Sequence, residues 1–406
     1  MQGRIGQLSK HNHSGFEKAY RGAYVTLNRL LRPVDPDKVV FSCFRGRSYG
    51  DNPRCISERL HARCPSAKIV WLFTRDALAR LEGELPDYVE PLIFGSRQAL
   101  AALATARVWV DNYTKDKYLS FTPGRQFYIQ TWHGDRAIKK ICYDLQAPGD
   151  EGRVEEHCSR VMTGSVFGEG MFRTAFRYKG EYLKAGAPRN DILVKNDPGD
   201  RERIRRKLGV APQAGLLLYA PTFREPGDTL PKRLQMDLER TLDALERRTG
   251  KRWICLFRAH YLSAGIDLAA VQDRLVDVTA YQDMAELLLA ADMVLTDYSS
   301  CAMDFIIMDR PALFYIPDWE AYRQKPGVYY DVREAPFMTA VDQAGLEALI
   351  EGLTPEKTAE NCAAIREYFG YYETGRAADA VCDYIIERLG SREKKARLTD
   401  TGEESA

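Results

Sequence analysis

The sequence predicts an α/β protein of two halves, each a parallel sheet with helices on both faces. Three observations carry that expectation. Short β-branched or aromatic runs alternate with helix-compatible segments, as in βα units. The pattern occurs twice, and loop-like chain at 186–200, "GAPRNDILVKNDPGD", separates the two sets. The 406 residues suit two domains of roughly 200 each, on the usual ~100–200 per domain.

Taken in order, Phe16, Tyr20, Ala23, Leu27, Leu30, Leu31 and Val34 recur at helical spacing. Around that stripe Arg4, Lys10, Lys18, Arg21, Arg29 and Arg32 stand against Glu17. Two readings fit: a basic amphipathic helix on an anionic membrane surface, or a first helix packed on the core with a solvated basic face. Pro33 and Pro36 end it. First-half strands are expected at 38–44, 68–73, 91–94, 106–110, 126–132 and 160–164. Second-half strands are expected at 216–223, 253–260, 275–280, 293–300 and 311–317, with helices at 231–249, 283–291, 301–309, 342–352, 355–368 and 375–389. The polar tail 391–406 reads as disordered. The expected divisions are 1–37, 38–190, 191–390 and 391–406.

Composition excludes several classes. With 45% hydrophobic and 28% charged residues and a formal net charge of +1, the chain is not built to hold nucleic acid electrostatically. No apolar run reaches the ~18–20 residues of a membrane span, and the N-terminus lacks a signal-peptide core. A cytoplasmic protein is expected. The nine cysteines are scattered singly, with no CxxC, which suggests reduced, structural thiols. No GxGxxG follows the first strand and no GxxxxGK[ST] occurs.

In open α/β sheets ligands bind beyond the carboxyl ends of the strands. Four runs deliver polar residues there: His133-Gly134, then Pro221-Thr222 with Arg224, then Arg258 and His260, then Asp297 with Ser299 and Ser300. Imidazoles, cations and hydroxyls together suit an anionic ligand with proton transfer nearby. Ser299-Ser300 precedes a short helical segment, so its hydroxyls either face a phosphate with the first-turn N–H groups or simply cap the helix.

At these residues the chain resembles the CDP-glycerol glycerophosphotransferase family of teichoic-acid and capsule polymerases and primases. "QTWHG" with Lys139, "GAPRND", "LYAPTFR", "RAH" and "VLTDYSSCAMDF" followed by "RPALFYIPDWEAYRQKPGVYYD" match the family's central motifs in order. The resemblance implies a GT-B architecture with the active site between two Rossmann-like domains. It implies transfer of a polyol phosphate from CDP-glycerol, or CDP-ribitol, to an acceptor hydroxyl with release of CMP. A lipid-linked or polymeric acceptor is expected with it. The basic apolar stripe before residue 35 points to peripheral attachment at the inner face of the cell membrane. The lack of a strand-end acidic pair or His/Asp cluster of ligand spacing predicts no metal or cofactor.

Carried over by motif, the donor-binding residues are Gly134, Asp135, Arg136, Ala137, Arg189, Pro221, Thr222, Arg258, Ala259, Ser299, Ser300 and Asp304. His133 is the expected general base and His260 the expected donor-side catalytic residue. Lys139 and Lys140 would add positive potential, or form a solvated basic face. The chain departs from the family where Asp135-Arg136-Ala137 replaces the usual Thr-Pro-Leu, and where Tyr261 follows His260 in place of proline. Alternatives are a GT-B nucleotide-sugar glycosyltransferase and an inactive membrane-associated assembly protein that keeps the fold.

Overall fold

The computed structural model describes residues 15–115, 119, 121–145, 154–222, 236–258, 269–324 and 327–390. Helix α1 (Gly15–Leu31) precedes a first sheet of β1 (Asp35–Ser42), β2 (Lys68–Phe73), β3 (Val89–Ile93), β4 (Ala106–Asp111), β5 (Phe127–Gln130), β6 (Arg160–Thr163) and β7 (Tyr182–Lys184). Its seven strands are parallel and ordered β3-β2-β1-β4-β5-β6-β7. The helices α2 (Asp51–Arg63), α3 (Arg75–Arg80), α4 (Arg97–Thr105) and α5 (Val166–Ala175) make the crossovers.

The second half opens with α6 (Asp191–Lys195) and α7 (Pro198–Lys207). It continues through β8 (Gly215–Tyr219), α8 (Leu238–Thr249), β9 (Trp253–Phe257), β10 (Leu275–Asp277), α9 (Met284–Ala290), β11 (Met293–Thr296), α10 (Cys301–Phe305), β12 (Ala312–Tyr315), α11 (Trp319–Tyr322) and β13 (Met338–Ala340). Helices α12 (Gln343–Glu351), α13 (Pro355–Phe369) and α14 (Ala377–Ile386) follow. Six parallel strands run β10-β9-β8-β11-β12-β13, the strand order of a dinucleotide-type doubly wound sheet. The expected fold class is therefore the observed one.

Strands buried on both faces read as unbroken apolar runs. In β2 every residue from Ile69 to Phe73 is buried. Alternate side chains feed opposite cores. Val40, Val70, Trp109 and Tyr128 meet Val25, Leu103 and Phe172 of α1, α4 and α5. Phe41, Trp71, Val110 and Ile129 meet Ile56 of α2 and Ala77 of α3. The second sheet is sandwiched likewise, Leu218, Val294 and Phe314 on one face and Leu217, Leu295 and Leu313 on the other.

The structure differs from the sequence expectation in four places. β7 and β13 were not expected, because three residues are too few to show a period. Several expected strands stop early: 216–223 ends at Tyr219 and 293–300 at Thr296. The residues beyond leave the ladder to line a cleft. The expected linker at 186–200 is a packed junction, with Pro188 and Asn190 buried. Finally, α14 belongs by packing to the first half, where Val381, Cys382, Tyr384, Ile385 and Leu389 join the α2 face of the first sheet.

Helix α1 settles on α4 through buried Val25 and Asn28. Its apolar stripe faces outward, with Phe16 83%, Leu30 79% and Leu31 72% exposed. Val34, the last residue of the expected stripe, lies beyond the helix and is half-buried. Among the described residues no helix is long and apolar enough to cross a membrane. All nine cysteines are free thiols. The expected tail lies outside the described residues.

Candidate active site between the two sheets

The carboxyl ends of the two sheets share a cavity of about 520 Å³. Its walls bring together His133, Gly134, Ala137 and Lys139 from the first half with Pro221, Thr222, Arg258, Ser299 and Ser300 from the second. Pro221-Thr222 follows β8 and Ser299-Ser300 follows β11. These are the two strands from which the connections diverge, where such sheets bind ligands.

His133 is positioned from the first sheet. Its Nδ1 lies 2.7 Å from the carbonyl oxygen of Asn112, just past β4. A carbonyl only accepts, so the proton sits on Nδ1 and Nε2 keeps its lone pair. The ring stacks on Trp132 at 4.3 Å and Tyr113 at 5.7 Å, with Phe44 at 5.2 Å. Burial among these rings lowers the imidazole pKa below its ordinary value, outweighing the Asn112 carbonyl and the Asp51 charge, which raise it. Before it, Trp132 is left-handed at φ 48, a costly conformation that persists only when over-determined. Its N–H donates to Gln130 Oε1 at 2.9 Å, and its carbonyl accepts from Asn52 Nδ2 at 3.1 Å. After it, Gly134 has φ 156, and a Cβ there would come within 3.2 Å of Ser300 Oγ.

The second half supplies donors. The Asp297 carboxylate accepts from the N–H of Thr222 at 2.7 Å and of Tyr298 at 2.6 Å, fastening the β8 loop to the β11 loop. Thr222 Oγ1 is buried without a hydrogen-bond partner among the described residues. Ser300 precedes α10 but makes no side-chain cap bond, whereas Ser299 Oγ accepts from the Cys301 N–H at 3.4 Å. Arg258 donates to the Tyr281 carbonyl at 2.6 Å and forms no ion pair among the described residues. Burial lowers its pKa from the ordinary guanidinium value. A half-buried cation facing a cleft without a carboxylate is matched to an anionic ligand. Ala259 and His260, with Arg224, lie outside the described residues.

The remaining sequence candidates lie away from the cavity wall. Asp135, Arg136, Arg189 and Asp304 form a buried charge cluster joining the halves. Asp135 Oδ2 accepts from Thr163 Oγ1, the Gly164 N–H and Ser165 Oγ at 2.9, 2.6 and 2.9 Å. Arg136, 1% exposed, reaches Asp135 at 3.1 Å, Asp304 at 3.1 Å and Glu373 at 2.8 Å. Arg189 joins Asp304 at 2.9 Å to Asp51 at 3.3 Å. Asn190 donates to both Asp304 and Glu373 at 2.9 Å. Burial pushes the Asp304 carboxyl up, but the Arg189 and Arg136 guanidiniums outweigh it and hold the pKa below the ordinary value. Glu373 goes the other way, raised by burial despite Arg136. Gly186 permits the approach, since a Cβ there would stand 2.3 Å from Glu373 Oε2.

Asn112, Asn52, Asp51 and Glu373 were missed by sequence reasoning. Asn112 acts through its backbone oxygen, which leaves no sequence trace. The "GAPRND" match did point to Arg189, and Asn190 stood beside it.

Lys139 is exposed on the cleft and Lys140 half-buried. Their segment pairs with the second half: Lys140 N–H donates to Gly327 O at 3.1 Å and Tyr329 N–H to Ile138 O at 2.8 Å.

A family model described as CDP-glycerol:poly(glycerophosphate) glycerophosphotransferase matches residues 24–387. The chain is 29% identical over 401 residues to a teichoic acid poly(glycerol phosphate) polymerase of Bacillus subtilis (strain 168), covering 94% of this chain and 53% of that protein. It therefore spans about half the length of that relative. A polymerase of the same description from Bacillus spizizenii is 28% identical over 375 residues, covering 88% of this chain and 93% of the relative. A teichoic acid ribitol-phosphate primase of B. spizizenii is 27% identical over 393 residues, covering 91% and 95%. Among solved structures, the wall teichoic acid polymerase TagF superposes with a TM-score of 0.76 at 26% identity, covering 92% of this chain and 97% of that chain.

Proposed function

The chain belongs to the CDP-glycerol:poly(glycerophosphate) glycerophosphotransferase family, and from that membership we propose that it moves glycerol phosphate from CDP-glycerol to the terminal hydroxyl of a growing teichoic-acid-type polymer, releasing CMP. The observation that carries the reading is the meeting of His133-Gly134 with Thr222, Arg258 and Ser299-Ser300 on one cavity.

The acceptor oxygen attacks the glycerol-bearing phosphorus and a new P–O bond forms. The bond from that phosphorus to the bridging oxygen breaks, and CMP leaves with the electron pair. The hydroxyl proton passes to Nε2 of His133, whose other nitrogen is committed to Asn112. Gly134 lets backbone approach the diphosphate, and Thr222, Arg258 and the two serines supply donors where negative charge builds. His260, outside the described residues, is the group proposed to donate to the phosphate of the departing CMP. Asp135, Arg136, Arg189 and Asp304 act from below, as positioning residues that hold the His133 loop against α10. Neutralisation of the leaving group falls to protein cations, so turnover is expected to survive EDTA.

The same reading places the protein on the inner membrane face, beside a lipid-linked acceptor. Its support is the outward apolar stripe of α1, flanked by Lys18, Arg29 and Arg32. Each basic residue near an anionic surface is worth about 1 kcal/mol.

The deciding experiment supplies CDP-glycerol, CDP-ribitol and nucleotide sugars with a glycerol-phosphate-primed acceptor and scores nucleotide release. CMP from CDP-glycerol with acceptor extension is the expected result. Turnover only with a nucleotide sugar would overturn the assignment, and failure to bind any CDP compound would favour an inactive assembly protein.

A further inference from the structure

A second cavity lies apart from the cleft. About 760 Å³ of space opens at the far end of α5, lined by Glu156, His157, Arg173, Arg177, Lys179 and neighbouring residues. Arg173, Arg177 and Lys179 are exposed and form no ion pair among the described residues. Nearby cations are committed elsewhere, Arg160 to Glu181 and Lys184 to Glu169. Among the described residues the lining carries one acid, Glu156, while Glu169, near Arg173, is paired with Lys184. Glu156 sits 3.9 Å from His157, and Asp144 at the rim accepts from Thr174 Oγ1 at 2.8 Å and from the Tyr329 hydroxyl at 2.6 Å. The lining therefore carries a surplus of guanidinium and ammonium groups in a concave surface, a geometry suited to phosphodiesters.

The cavity is linked to the cleft by continuous chain. Lys139 and Ile141 line the cleft, and the next residues run along α5. Tyr143 carries the Arg177 guanidinium 4.0 Å from its ring, and Asp144 is tied to Thr174.

We propose that this cavity binds phosphodiester groups of the acceptor polymer a few repeats behind the hydroxyl that reacts at His133. The proposal rests on the transferase reading above. A lipid headgroup would satisfy the same cations, but the exposed stripe belongs to α1, which packs on α4, whereas the cavity lies by β6 and β7 at the opposite edge of the sheet. Its connection runs to the cleft. A site there makes affinity grow with acceptor length and keeps a growing chain engaged between transfers.

The test uses short and long synthetic poly(glycerol phosphate) oligomers, binding measured without donor and turnover measured by CMP release. Arg173→Glu/Arg177→Glu is expected to lose about tenfold or more in affinity for the long oligomer, with the salt dependence of binding falling by roughly one in log–log slope per cation lost. The kcat on the short oligomer and the CDP-glycerol KM are expected to stay unchanged. Should that variant fail to fold, Arg173→Gln and Lys179→Gln, both exposed, decide the matter with smaller losses in the same direction. Unchanged long-oligomer affinity in a folded variant overturns the proposal. So does loss of sedimentation with phosphatidylglycerol vesicles at unchanged oligomer affinity, which would make the cavity a lipid site. A wild-type protein that binds long oligomers more tightly than short ones, yet releases no CMP, would support the site and overturn the transferase reading instead.

Discussion

As the proposed base, His133 is prepared by a carbonyl that fixes one nitrogen and by aromatic rings that disfavour the imidazolium. The carbonyl fixes the tautomer while raising the pKa, and burial outweighs it, so at neutral pH Nε2 is unprotonated and turned away from Asn112. Because burial lowers its pKa, the acid limb of kcat/KM is expected to fall below the usual imidazole range, with activity full above pH ~6.5 and lost as pH drops through the lowered value. A limb above 6.5 would speak against His133. His133→Ala should cut kcat by about 10²–10⁴-fold while CDP-glycerol still binds in a titration without acceptor. Gly134→Ala tests the opposite wall, since its methyl must displace Ser300 Oγ from 3.2 Å. The expected result is a raised donor KM together with a lowered melting temperature, since alanine is strained at a φ of 156. The sequence showed "HG" plainly, because strand end and motif coincide there. It could not show that the next two residues turn inward. Arg136 finds its partners 168 and 237 positions away, and no local pattern encodes such a distance.

At the scale of elements, the sequence was read best where burial is uniform. β2 and β4 came out nearly residue for residue, since strands covered on both faces leave continuous apolar runs. The sequence of α1 admits two readings, because periodicity reveals that a helix has an apolar stripe and not what covers it. The structure places a second, narrower face of Val25 and Asn28 on α4 and leaves the stripe outward. Phe16→Glu with Leu30→Glu is therefore expected to abolish sedimentation with anionic vesicles, with the melting temperature within a degree or two of wild type. A large fall in melting temperature would show that the stripe is covered within the folded chain.

Taken whole, the molecule is two sheets joined by a buried charge cluster, by the pairing of 138–140 with 327–329, and by α14. Removing Arg136 strands Asp304, Glu373 and Asp135 without their shared cation. Breaking such a pair typically costs about 3–5 kcal/mol, so Arg136→Ala should lower the denaturant midpoint markedly at unchanged secondary structure. A loss under 1 kcal/mol would mean that water reaches the cluster. The sequence showed two halves but not that the chain crosses between them twice, since a crossing is defined by contacts rather than by composition. That second crossing, by α14, has a consequence in time. Val381, Cys382, Tyr384, Ile385 and Leu389 complete a face of the first sheet whose other members end near residue 187. During synthesis at ~5–20 residues per second, Phe41, Trp71 and Val110 wait roughly 10–40 s with part of their cover still unmade. The first half is thus completed only after the whole of the second half and α14 have been synthesised.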